Sequence, residues 1–252
     1  MSARHFDAIL FDLGNTLLYF DGVWPEVQRE ADAQLLAHLQ NEGFALDAPS
    51  FLQQFRARIT EYYAQREAEF VEHTTAYVLK TLLAELGYPD VGPQQLSPAL
   101  QALYAASQAH WLLEDDCLPA LQALKNEGYK LAIISNAGDD EDVQTLVDNT
   151  GLRPYFDLVL SSAACGVRKP NPHIFKLALD RLGVPAGGAA MVGDTLGADI
   201  LGAQNAGLYS IWLTRRADTP ANQAHASTIV PDAQIPSLAQ LPSLIKEIAQ
   251  PN

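Results

Sequence analysis

Residues 6–17 read FDAILFDLGNTL, and this stretch decides the fold. FDAILF is a short apolar run that stops at a carboxylate, Asp12, and is followed by the turn-forming pair Gly14-Asn15. A run this short, continuous rather than alternating, reads as a strand buried on both faces that opens into a loop. The same grammar returns in the second half of the chain. KLAIIS (130–135), FDLVLSS (156–162), AAMVGD (189–194), YSIWLT (209–214) and a short STIV (227–230) are apolar runs, separated by helical patterns at 118–127, 141–150, 172–182 and 197–206 and followed by one at 237–248. Continuous apolar strands alternating with amphipathic helices predict an α/β protein, with a Rossmann-like parallel sheet between helical layers. Residues 215–226 are polar and predict a surface loop.

The alternation is broken once, directly after the first strand. From about 24 to 114 the texture is helical, rich in Ala, Leu, Gln and Glu, with expected helices at 25–42, 48–70, 72–87 and 95–114. Gly43 and Gly87 stand where C-caps belong, and Pro49 stands near a helix start. An insertion explains this order: residues 1–18 and 115–252 form the sheet domain, and residues 19–114 form a helical domain placed on the loop after strand one. Open parallel sheets bind ligands at the carboxyl ends of their strands, so the insertion would lie over the site as a lid.

Composition narrows the function classes. The chain has 252 residues, 48% hydrophobic and 18% charged, as expected of a folded soluble protein. Thirty acidic against sixteen basic residues give a formal charge of −14, which argues against a nucleic-acid partner. Cys117 and Cys165 are far apart and form no CxxC pair, which excludes a zinc ribbon or disulfide scaffold and fits a reducing compartment. No apolar stretch reaches the length of a signal core or a bilayer span, so no membrane partner is expected and the reading is a cytoplasmic protein. The sequence carries no statement of oligomeric state.

Four polar residues follow four of the expected strands: Asp12, Ser135, Lys169 within GVRKPNPHIF (166–175), and Asp194 within GDTLGAD (193–199). Paired carboxylates can hold a hard divalent cation, and a lysine with a small hydroxyl can hold a phosphate. In this order, these motifs resemble those of the haloacid dehalogenase-like hydrolase superfamily, which is dominated by Mg2+-dependent phosphatases, and the helical insertion resembles that family's first type of cap domain. The resemblance implies that Asp12 is the nucleophile that forms an aspartyl-phosphate and that Lys169 neutralises charge on nucleophile and phosphate. It implies a substrate-binding set of Thr16, Ser135, Asn136 and Lys169, with the amides of Asn136 and Ala137 near the phosphoryl group and the Thr16 hydroxyl orienting the nucleophile loop. It implies Mg2+ on Asp12, the Gly14 carbonyl and Asp194, with Asp199 outside the direct ligands. The implied partner is a small phosphorylated metabolite.

One position departs from the pattern. Most phosphatases of the family have a second aspartate two residues after the nucleophile, where this chain has Gly14. That aspartate protonates the leaving oxygen, and such help is worth about 10²–10⁴-fold in rate. Three readings remain open: a phosphatase that uses another acid, water or an easy leaving group; a 2-haloacid dehalogenase, whose halide leaves as an anion; or a weakly active binder of phosphate compounds. The Gly193-Asp194 pair and Asp199 favour phosphate chemistry, because metal-free dehalogenases of the family lack that metal ligand. Around the motifs, Arg168 reads as a surface charge, Cys165 as packing, and the six histidines show no metal spacing. Tyr19, Phe20 and Trp24 read equally as pocket or hinge residues, and Asp21 as a hinge turn or a substitute acid. Tyr62 and Tyr63 cannot share one helix face.

Overall fold

A computed structural model describes residues 5–249, apart from the side chains of Glu67 and Ala68. The terminal residues 1–4 and 250–252 of the expected sheet domain lie outside the described residues. The strands are β1 (Ala8–Phe11), β2 (Leu18–Phe20), β3 (Trp111–Leu113), β4 (Lys130–Ser135), β5 (Leu158–Ser161), β6 (Ala189–Gly193), β7 (Tyr209–Leu213) and β8 (Ala233–Ile235). Six of them form one parallel sheet in the order β5-β4-β1-β6-β7-β8. The first strand is therefore central, with Ile9 opposite Leu131 on one side and Ala190 on the other.

Alternation along β1 explains why it is apolar throughout. Ile9 and Phe11 pack on one face with Ile133, Val192 and the helices α5 (Cys117–Asn126), α6 (Asp140–Asn149) and α11 (Leu241–Ala249). Ala8 and Leu10 pack on the other with Ala132, Met191 and the helices α8 (Pro172–Leu182) and α9 (Leu201–Asn205). The remaining short helices are α7 (Ser162–Cys165) and α10 (Pro220–His225). From β1 the chain moves outward through β4 to β5, then returns to the other side of β1 as β6. This reversal opens a crevice beyond the ends of β1 and β6.

The inserted block holds α1 (Trp24–Asn41), α2 (Ala48–Glu69), α3 (Thr75–Glu85) and α4 (Pro93–Gln108) around a hydrophobic core of its own, including Leu35, Leu39, Phe51, Phe55, Leu79 and Leu82. Its two linkers are strands. The helix expected over 95–114 ends at Gln108, and Trp111–Leu113 pairs antiparallel with Leu18–Phe20. An insertion leaves and re-enters the sheet domain at one place, so its linkers run side by side. Aromatic residues favour the pleated pairing, and Phe20 meets Trp111 edge-on with centroids 5.4 Å apart.

Other corrections are local. The helix expected from residue 72 starts after Thr74, whose hydroxyl caps the Tyr77 amide, because Val71 is held in a bridge to Val167. Residues 227–230 are not a strand; the sixth sheet strand is Ala233–Ile235, set by Asp232, whose carboxylate accepts from the Ser210 amide and hydroxyl. The polar stretch 215–226 contains α10, capped by the Thr219 hydroxyl. The helix expected at 197–206 opens with a π-turn, Leu196–Ile200. No helix among the described residues is long and apolar enough to cross a membrane.

Candidate active site

Asp12 sits where β1 ends, its amide donating to the Val192 carbonyl of β6 at 2.9 Å. The backbone then turns sharply, with Asn15 in the left-handed region (φ 57), a conformation asparagine tolerates better than most residues. Ser135 is the last residue of β4. Lys169 comes from the loop before α8, and Asn136 fixes it there. The Asn136 side chain donates to the Lys169 carbonyl at 2.9 Å and accepts from the Lys169 amide at 2.8 Å. The Lys169 ammonium, 2% exposed, reaches Asp12 Oδ1 at 2.6 Å and Asp199 Oδ1 at 2.7 Å. Asp199 Oδ2 accepts from the Thr195 amide at 2.9 Å. Gly193 permits this closure, since a Cβ there would collide with the Asp199 carboxyl group.

Carboxylate oxygens of Asp12, Asp194 and Asp199 lie within 4.8 Å of one another. Burial, with Asp199 adding to it and Lys169 opposing it, pushes the Asp12 carboxyl up to about 6. Burial and the neighbouring Asp12 and Asp199 push Asp194 up to about 8. Burial alone would lower the Lys169 ammonium, but Asp12 and Asp199 outweigh it and raise it. Three carboxylates facing one lysine is a site with surplus negative charge, and a hard divalent cation relieves it. The oxygen-only donor set fits Mg2+, with Asp12, Asp194 and the Gly14 carbonyl as the groups that could hold it. Both Asp199 oxygens already face donors, which agrees with a place outside the direct ligands.

A cavity of about 680 Å3 rises above this floor. Asp12, Gly14, Ser135, Asn136, Lys169, Asp194 and Asp199 all line it, so the motif residues meet in one place. Its other wall comes from the helical block and includes Trp24, Tyr63, Phe70, Tyr104 and Trp111. Several expectations are corrected here. Thr16 is fully buried and does not line the cavity among the described residues. The Ala137 amide donates to Ser162 Oγ at 2.9 Å instead of facing a phosphoryl position. Arg168 is not a surface charge: it is 6% exposed and lines the cavity. Of the aromatic trio, Trp24 lines the cavity. Tyr19 lies under the Arg216 guanidinium at 4.4 Å, and Phe20 packs in the hinge against Trp24 and Trp111. Asp21 belongs to the hinge turn, where its amide donates to the His110 carbonyl at 2.8 Å. Tyr63 faces the cavity while Tyr62 packs on the helical core.

The sequence reading missed three residues. Asn222, inside the stretch read as loop, is 3% exposed; it donates to the Asp194 carbonyl at 2.8 Å and accepts from the Leu196 amide at 2.7 Å, holding the Asp194 loop. Glu72, in the α2–α3 linker, accepts from Ser162 Oγ at 2.7 Å and pairs with Arg66 at 3.2 Å and Arg168 at 3.5 Å, joining the helical block to the sheet domain. Trp111 overlies Gly14: a Cβ at residue 14 would come 3.3 Å from its indole ring. Tertiary contact alone brings each of these to the site, and no local pattern marks them.

Comparison with known proteins agrees with this arrangement. The haloacid dehalogenase-like hydrolase family model matches residues 6–207. The chain is 30% identical over 246 residues to the ribulose-1,5-bisphosphate 5-phosphatase of Halopiger xanaduensis, covering 94% of this chain and 98% of that protein. It is 28% identical over 244 residues to the glyceraldehyde 3-phosphate phosphatase of Methanopyrus kandleri, covering 96% and 98%. Among solved structures, a 2-haloacid dehalogenase from Pseudomonas syringae superposes with a TM-score of 0.69 at 27% identity, covering 96% of this chain and 99% of that one. With the four motif residues meeting at the strand ends of a Rossmann-like sheet, and with this family match over most of its length, the chain belongs to the haloacid dehalogenase-like hydrolases.

Proposed function

We propose that the protein is a Mg2+-dependent phosphatase that hydrolyses a small phosphomonoester through an aspartyl-phosphate. The observation that carries this reading is the contact of Lys169 with Asp12 at 2.6 Å beside Asp194, under a cavity of metabolite size. Lys169 holds one Asp12 oxygen, and the other attacks phosphorus in line. The Ser135 hydroxyl and the Lys169 ammonium stabilise the charge that gathers on the transferring oxygens. Asp12, Asp194 and the Gly14 carbonyl would hold Mg2+, which when bound would neutralise more of that charge. Residues 19–114 act as the cap: they shut water out during transfer and move aside for release.

The similar phosphatases name two compounds for a first panel, glyceraldehyde 3-phosphate and ribulose 1,5-bisphosphate. Phosphate release from these, an aryl phosphate and nucleoside monophosphates is measured with Mg2+ and with a chelator, with Asp12→Asn as control. Metal-dependent release that the control lacks is the expected result. No release from any phosphate ester overturns the reading. A second reading, 2-haloacid hydrolysis, is favoured by Gly14, since a halide needs no proton to leave, and by the likeness to the P. syringae structure. Halide release indifferent to chelator would establish it instead; the buried Asp194 and Asp199 weigh against it.

A further inference from the structure

Resting on the phosphatase reading, the geometry points to the substrate class: we propose that the leaving group is aromatic, so that the substrate is a small aryl phosphate, an ester of a phenol-type hydroxyl. Two independent observations converge on this. The first lies on the leaving-group side of the nucleophile. Gly14 offers no acid, and the space a side chain would take is closed by the Trp111 indole, 3.3 Å from where its Cβ would stand. An alkyl oxygen leaves as a strongly basic alkoxide unless it is protonated, whereas a phenolic oxygen, with a pKa near ~10, leaves as a stable anion.

The second observation is the wall above. Trp24, Tyr63 and Phe70 are 50%, 44% and 38% exposed, and all three face the same cavity as Trp111 and Tyr104. Single exposed aromatic residues are ordinary, but several around one cavity, with the Arg66 guanidinium 3.6 Å over the Tyr63 ring, form a surface on which a planar ring can stack. Because Trp111 overlies Gly14 itself, the ring it meets is the one attached to the leaving oxygen, not a base held beyond a sugar. Other ionisable groups on the wall have partners: Asp142 accepts from Gln108 at 2.9 Å, the Tyr104 hydroxyl meets Thr75 at 2.7 Å, and Arg66 and Arg168 pair with Glu72 at 3.2 Å and 3.5 Å.

The chemistry balances without an added acid. An Asp12 oxygen forms a bond to phosphorus. The P–O(aryl) bond breaks with its electron pair on oxygen, and the phenolate takes a proton from solvent. Water then adds to the aspartyl-phosphate, which releases inorganic phosphate and a proton and restores the Asp12 carboxylate.

The test is kcat/KM with Mg2+ for phenyl phosphates whose ring substituents span nitro to methyl, beside alkyl phosphates and nucleoside 5′-monophosphates, in wild type and in Tyr63→Ala, Trp111→Phe and Asp142→Asn. The proposal expects a steep fall as the leaving phenol becomes more basic, and alkyl esters about 10²–10⁴-fold slower. Tyr63→Ala should raise KM for aryl esters about 3–10-fold, and Trp111→Phe should keep the aryl preference. Alkyl esters or nucleotides turned over as well as aryl esters, or an alkyl activity that Asp142→Asn removes, overturn the proposal and leave the phosphatase reading standing. Failure of every ester overturns both.

Discussion

The floor and the roof of the cavity are built on opposite principles. On the floor, Lys169 is 2% and Asp199 1% exposed, and the groups are held in place by polar contacts: Lys169 by Asp12, Asp199 and the Asn136 side chain, and the Asp194 loop by the Asn222 side-chain amide. The roof is a helical block with a separate apolar core, and toward the floor it turns aromatic side chains that remain substantially exposed. A floor of buried charges tied together through one lysine cannot shift by an ångström without breaking those contacts, so it suits chemistry. A roof of aromatic rings adapts at small cost and suits the choice of substrate. Glu72 is where the two meet, a roof residue whose carboxylate is sunk into the floor's framework through Ser162 and Arg168.

The sharpest way to break this contrast is at Asp12, the proposed nucleophile. Asp12→Asn should lower kcat by about 10⁴–10⁶-fold, as loss of a catalytic nucleophile does. The same change relieves repulsion in the carboxylate cluster, so the thermal midpoint should hold or rise; a mutant both active and destabilised would contradict the assignment. Next is Lys169→Met, expected to cost about 10²–10³-fold in kcat and, by stranding buried carboxylates, about 3–5 kcal/mol of stability in denaturant titration. A roof substitution such as Tyr63→Ala should by contrast leave stability within about 0.5 kcal/mol, because the residue is exposed.

Between floor and roof, Ser162→Ala removes the acceptor of the Ala137 amide and the donor to Glu72, and should cost about 1–3 kcal/mol. An unchanged midpoint would mean that the Glu72 junction adds nothing to docking the block.

The smallest effect concerns pH. Burial, which outweighs the Gln108 hydrogen bond, raises Asp142 from 3.8 to about 6. A carboxyl group raised in the folded state costs nothing below its ordinary value, because both states are then protonated; the cost grows as pH rises from about 4 to about 6 and is complete above that. Asp142→Asn should therefore raise the midpoint by about 2–4 °C at neutral pH and leave it unchanged below about pH 4. A gain that is equal at both pH values would show that burial does not raise the Asp142 carboxyl group.

The strand runs at 6–11, 130–135 and 189–194 were legible because burial on both faces demands continuous apolar residues, and Asp12, Ser135, Lys169 and Asp194 because each ends or follows such a run. β2 and β3 were not legible: three residues each, they exist because two linkers must run together, and Trp111–Leu113 by itself continues a helical pattern. Arg168 read as an ordinary surface charge and Glu72 went unmarked, since nothing local reports that each meets its counter-charge across a junction between distant segments.

By itself, then, the amino-acid sequence determined the parallel sheet, the helical insertion after its first strand and the identity of the groups at the strand ends, because hydrophobic periodicity and strand-end chemistry are local properties. Only the tertiary structure decided that Thr16 lies away from the cavity, that the Ala137 amide belongs to Ser162, that Asn222 holds the Asp194 loop, and that Trp111 lies over Gly14. These are contacts between residues tens of positions apart, and packing, not spacing along the chain, selects which distant side chain fills a given space.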